Sequence, residues 1–146
     1  MLSRTVRHVL TRNPSQCRYA RESMAVLPPR VNVLGVGVHA LNLDSAVAAI
    51  GDAIAHRSKG YVCVTGVHGV MESRADAELR EIHNHSGLTT PDGMPMVWAG
   101  RWAGNRTIRR VYGPDLMLSV CERAAERGWS SYFYGAGEGV ADQLEV

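Results

Sequence analysis

Thr89-Thr90-Pro91-Asp92-Gly93-Met94-Pro95-Met96-Val97-Trp98 is the stretch on which the reading of this chain turns. Leu88 to Thr90 reads as the end of a short buried strand, Pro91 fixes its own φ, and Gly93 supplies whatever backbone angle the turn needs. Met94 to Trp102 reads as an apolar helix with Pro95 in its first turn. Strand, rigid turn and helix in that order put one carboxylate, Asp92, at the tip of the strand. Pro-Asp-Gly is also among the commonest turn sequences, so the motif takes its meaning from what surrounds it.

Outward from this stretch the strand and helix patterns alternate. Val31 to Val38 is apolar and β-branched, as a strand requires; Asp44 or Asn42 caps a helix with Ala46, Val47, Ile50 and Ile54 on one face; Tyr61 to Thr65 is a second strand. Val70 to His83 reads as one helix with a charged outer face. Beyond the Asp92 turn, Pro114 opens a helix through Leu116, Leu118, Val120 and Ala124 that Gly128 ends. Ser131 to Tyr134 reads as a further strand, followed by Gly135-Ala136-Gly137-Glu138-Gly139 and the first turns of another helix. That order predicts an α/β fold: a Rossmann-like, mostly parallel sheet with helices on both faces. Because the last helix has only begun at Val146, at least one more strand is expected, and the domain reads as one whose C-terminal part is missing.

Composition bounds what such a domain can be. At 146 residues and 45% hydrophobic content, one modest core is expected. The net charge of +2 is unevenly spread. Residues 1–30 carry six arginines against Glu22 and close on Pro28-Pro29, which reads as a basic extension: disordered, preceding a true start at Met24, transit-like, or touching anionic lipid. Residues 31–146, the α/β domain, carry ten basic against thirteen acidic groups, which argues against nucleic acid as a partner. Cys17, Cys63 and Cys121 are odd in number and form no CxxC pair, so a reducing, cytoplasmic setting is expected, with neither a disulfide framework nor a zinc ribbon. No run has the roughly 18 to 20 apolar residues of a membrane span.

Several groups compete for the chemistry. Gly35-Val36-Gly37-Val38-His39-Ala40 fits the form of a dinucleotide-binding turn, but the helix begins too late for Gly37 to sit at its start, and no acidic residue closes the second strand. A nicotinamide-dependent oxidoreductase is therefore the weakest alternative. Gly135, Gly137 and Gly139 lie between a strand and a helix, where backbone N–H groups can receive a diphosphate, or they simply make a tight connection. Arg101, Arg106, Arg109 and Arg110 form a cationic run that pairs with phosphate or lies solvated. His68 follows the second strand, where crevice residues gather, while His83 and His85 point apart and complete no metal site. Cys63 lies mid-strand as a small hydrophobe.

Taken in order, Val62-Cys63-Val64-Thr65-Gly66-Val67-His68-Gly69-Val70-Met71-Glu72, Arg74 to Arg80, Leu88 to Pro95, Arg110-Val111-Tyr112-Gly113-Pro114-Asp115-Leu116 and Tyr134 to Val140 resemble the WecG/TagA/CpsF glycosyltransferases over about residues 31–146. The resemblance implies an inverting, metal-independent transfer of a sugar, of the N-acetylmannosamine type or related, from a UDP-sugar to a polyprenyl-diphosphate-linked sugar. That reaction would take place at the inner face of the bacterial membrane, in cell-surface polysaccharide synthesis. It implies Asp92 as general base and Thr65 as a positioning group for the sugar or its phosphate. Many members carry an asparagine shortly after that threonine; here Gly66-Val67-His68 stands instead, which brings in His68 as a second positioning group. Gly93, Arg110, Gly113, Asp115, Gly135, Gly137 and Gly139 are the implied substrate-binding residues. There is no D-x-D metal motif, no cofactor is expected, and homo-oligomerisation is left open. The principal alternative is a chain that binds nucleotide-sugar without turnover.

Overall fold

The computed structural model describes residues 27–134 and Gly137. Within them the elements run β1 (Arg30–Val33), β2 (Val36–His39), α1 (Leu43–Ala55), β3 (Val62–Thr65), α2 (Val67–Ala75), α3 (Ala77–His85), β4 (Leu88–Pro91), α4 (Met94–Trp102) and α5 (Gly113–Arg127). The fold is mixed α/β. β3 and β4 pair in parallel, with Val62 opposite Leu88 and Thr65 opposite Pro91. β1 and β2 pair antiparallel, with Arg30 opposite His39, and β2 lies alongside β4.

The expected strand from Val31 to Val38 is thus two strands folded back on each other. Leu34 and Gly35 take φ of 52° and 96°, the doubly positive turn that a two-residue hairpin needs, and Asn32 Oδ1 accepts from the Gly35 amide at 2.8 Å. Gly35 and Gly37 therefore belong to a hairpin and not to a strand-to-helix turn, which removes the geometry a dinucleotide-binding turn requires. Among the described residues the ladders are one parallel and one antiparallel, so the mostly parallel sheet is not reached there.

Helices pack on both faces of the parallel pair, although Val62 and Val64 of β3 stay exposed. Side chains of equal parity share a face: Leu88 packs with Leu41, Ala46, Val47, Val111 and Leu116 beneath α1 and α5. On the opposite face Thr65 lies beneath Gly69 of α2, and Thr89 bonds to Ser86 at the end of α3. α4 packs on β1, where Val97 joins Val31, Ala40 and Ile108. All four residues of β4 are buried, which makes it the rigid centre that carries Asp92.

Helix boundaries follow local chemistry. Asn42, not Asp44, caps α1: its side chain accepts from Ser45 N, and the Ser45 hydroxyl accepts from Asn42 N, closing a capping box. The single helix expected from Val70 to His83 starts earlier, at Val67, and is broken at Asp76, whose extended backbone ends α2 and whose Oδ1 accepts from Glu78 N and Leu79 N to start α3. Gly128 ends α5 in the left-handed conformation. Residues 131–134 adopt no regular secondary structure, so the strand expected there is not formed. Leu27 already packs against the core, and Pro29 O accepts from Ala40 N, so contacts with the domain begin just before residue 31.

Candidate active site

Asp92 lies immediately beyond β4, where its amide donates to Thr65 O at 2.9 Å and so ties the tips of the two parallel strands together. Gly93 then takes φ of 96°, a conformation in which a side chain would be strained, and serves as N-cap of α4. Pro95 holds the first turn of that helix. The segment before α5 crosses the same edge: Val111 N donates to Pro91 O at 2.8 Å, and Gly113 lies under Val64. This brings Arg110 Nε to 3.6 Å from Asp92 Oδ1, with the guanidinium carbon 4.5 Å from the ring centroid of Tyr112. Both charges reach solvent, so the pair orients the carboxylate more than it stabilises the fold.

Three helices begin around this carboxylate. Gly66, Gly93 and Tyr112 are the N-caps of α2, α4 and α5, and none supplies a side-chain cap. Each leaves backbone N–H groups and the positive end of a helix dipole directed at the edge where Asp92 sits, an arrangement suited to an anion such as a diphosphate. Asp115 stands exposed in the first turn of α5, beside that positive end.

Thr65 is buried at the end of β3, and its Oγ1, like that of Thr90, has no hydrogen-bond partner among the described residues. Its carbonyl accepts from the Asp92 amide, so Thr65 positions Asp92 through the backbone. His68 is directed elsewhere: its ring is 89% exposed and pairs with Glu72 at 3.2 Å along α2. Gly137 is exposed, with nothing among the described residues near the position a Cβ would take; Gly135 and Gly139 lie outside the described residues. Asp92, Gly93, Arg110 and Gly113 are thus brought together, Thr65 supports them from below, and His68 is not joined to them by any contact of its ring. Cys63 faces the buried polar side of β3, where burial pushes its thiol pKa up against smaller opposing effects of a Ser86 hydrogen bond and the Arg30 charge. A neutral thiol there is no nucleophile. Among the described residues no group of three or more His, Cys, Asp and Glu side chains is placed to hold a metal ion, and no helix is long and apolar enough to cross a membrane.

Gly66 is the residue that sequence reasoning missed. A Cβ on it would stand 3.0 Å from the Asp92 carbonyl oxygen, a backbone atom that yields only if the turn moves. Its place directly after β3, beside Thr65, was the available signal. Gly66→Ala is expected to cost about 1–3 kcal/mol of stability, as overpacking does, and to displace Asp92. Urea denaturation and turnover measured together check this, since a loss of stability with unchanged turnover would mean that the Asp92 turn tolerates the shift.

Residues 31–146 match the family model described as Glycosyl transferase WecG/TagA/CpsF family. Among curated proteins, none matches the chain.

Proposed function

The chain belongs to the WecG/TagA/CpsF glycosyltransferase family, with its role in polysaccharide synthesis, and from that premise we propose that it moves a sugar from a UDP-sugar to a polyprenyl-diphosphate-linked sugar with inversion at the anomeric carbon. The observation that carries this reading is the carboxylate of Asp92 among three uncapped helix N-termini at one edge of the parallel strands. In this reading the acceptor hydroxyl attacks the anomeric carbon from the side opposite UDP and loses its proton to Asp92. The bond to the diphosphate breaks, and its electron pair leaves with the UDP oxygen. The charge that develops there is met by the N–H groups of the helix starts and by the Arg110 guanidinium. Gly93, Gly113 and the partly open edge around them give the backbone room to approach the donor.

The donor is an N-acetylmannosamine-type sugar or a relative, the acceptor is lipid-linked, and the enzyme works as a peripheral protein at the inner face of the membrane. A Rossmann-like sheet is the fold this reading implies. The test is transfer from UDP-N-acetylmannosamine to a short-chain polyprenyl-diphosphate N-acetylglucosamine, followed by product mass and anomeric configuration. An inverted glycoside is the expected product. Retention of configuration would overturn the single-displacement mechanism, and donor binding with no transfer would favour a nucleotide-sugar-binding role.

A further inference from the structure

The helix that starts at the active-site turn turns its outer face to solvent in an unusual way. On α4, Met94, Trp98 and Trp102 follow one another at four-residue spacing and are 43%, 59% and 96% exposed, while Met96, Val97 and Gly100 face the core. Two of the chain's three tryptophans therefore stand in water on a single nine-residue helix. Exposing them forfeits apolar burial that tryptophan usually finds. Residues 93–114 contain Arg101, Arg106, Arg109 and Arg110 and no carboxylate; Asp92 and Asp115 flank the run and Asp92 pairs with Arg110, while Arg101, next to Trp102 in the chain, and Arg106 are exposed.

We propose that the outer face of α4 is a docking surface for an anionic lipid bilayer. Tryptophan is suited to the headgroup boundary, where its apolar ring is buried and its N–H stays in a polar layer. Arginines alongside add electrostatic attraction to anionic headgroups. A second copy of the chain fits less well, because like-charged arginine clusters would face each other and three side chains fall short of the roughly 1,200 Å² that a stable pair buries. Because Met94 is only two residues from Asp92, a bilayer seated on α4 lies next to the base. The purpose of docking, to present a lipid-linked acceptor to Asp92, rests on the proposed function; the docking itself does not.

The experiment is co-sedimentation of the whole chain with phosphatidylcholine vesicles that contain or lack phosphatidylglycerol, combined with quenching of tryptophan emission by brominated lipid. Binding is expected only with the anionic vesicles, with quenching of Trp98 and Trp102 over a background from Trp129, which packs against Gly51. Trp98→Ser with Trp102→Ser should lower partitioning about tenfold, and Arg101→Gln with Arg106→Gln should abolish the preference for anionic lipid. Circular dichroism melts of these surface variants should match the parent. Unchanged partitioning of the tryptophan variant, or sedimentation without quenching, would overturn the proposal. So would a loss of self-association, with vesicle binding intact, on replacing the tryptophans, since that would make the face a contact between copies. Transfer to a soluble short-chain acceptor, measured in parallel, fails in the unaltered protein if the proposed function is wrong and survives in the tryptophan variant if only the docking face is lost.

Discussion

Asp92→Asn is expected to lower sugar transfer by about two to four orders of magnitude while leaving UDP-sugar affinity nearly unchanged. The substitution keeps the shape of the side chain and an oxygen facing Arg110, so the turn and its neighbours persist. It removes the ability to take a proton from the attacking hydroxyl. The backbone that places residue 92 does not depend on the carboxylate, because the Asp92 amide donates to Thr65 O and Gly93 supplies the positive φ. A rate loss without a binding loss is therefore the signature of a base, and single-turnover kinetics with calorimetric donor binding separate the two. Near-normal turnover of the Asn variant would end the assignment. A parallel loss of donor affinity would move Asp92 from proton transfer to substrate binding.

How much of this was legible in the sequence depends on how local the determining forces are. β4, the Asp92 turn and α4 were readable because proline fixes its own φ, glycine admits the positive φ that the turn takes, and the apolar run is continuous. The ends of α5 were readable for the same reason, with Pro114 at the start and Gly128 at the finish. The break at Asp76 was hidden because Arg74 to Arg80 consists mostly of good helix formers, and only the Asp76 side chain, competing for the backbone amides, divides them. The hairpin at Leu34 was hidden because leucine gives no sign of a positive φ; Asn32 bonding to Gly35 N and β2 lying against β4 stabilise what local preference does not.

The site was legible in part for a similar reason. Asp92 and Gly93 belong to one local motif, and Arg110 and Gly113 to another, so each could be singled out from its own segment. That the two segments meet depends on Val111 bonding to Pro91, a contact 20 residues apart in the chain. His68 was singled out from its place after β3, but a helical i, i+4 partner, Glu72, holds its ring in solvent. The close approach of Gly66 to the Asp92 carbonyl exists only once β3 and β4 are paired in parallel.

The largest stability effect is expected at Arg30, a residue that the sequence placed in a basic extension. Arg30 is partly buried in the first strand, where Nη1 donates to Asn84 O at 2.7 Å, Nη2 donates to Ser86 O, and Nε faces His39 Nε2 at 3.1 Å. Thr89 N also donates to His39, at Nδ1, and a neutral imidazole accepts from only one of these two donors, so the two carbonyls are the firmer partners. Asn84 completes the clamp from the other side, donating to Gly35 O and accepting from Gly37 N, both at 2.9 Å. Together these bonds fasten the β1–β2 hairpin to the end of α3, next to the start of β4. Arg30→Met keeps the stem that packs on Gly37 but removes every donor, leaving the Asn84 and Ser86 carbonyls without their charged partner. Charged hydrogen bonds contribute about 1.5–3 kcal/mol each, and their loss here is shared, so a destabilisation of about 2–4 kcal/mol is expected in urea unfolding. Asn84→Ala should cost about 1–3 kcal/mol, and the double variant less than the sum, because both side chains secure the same hairpin. Strict additivity would mean that they act on separate parts of the fold, and a cost below about 1 kcal/mol for Arg30→Met would mean that apolar packing of Val31, Val36 and Val38 holds the hairpin unaided.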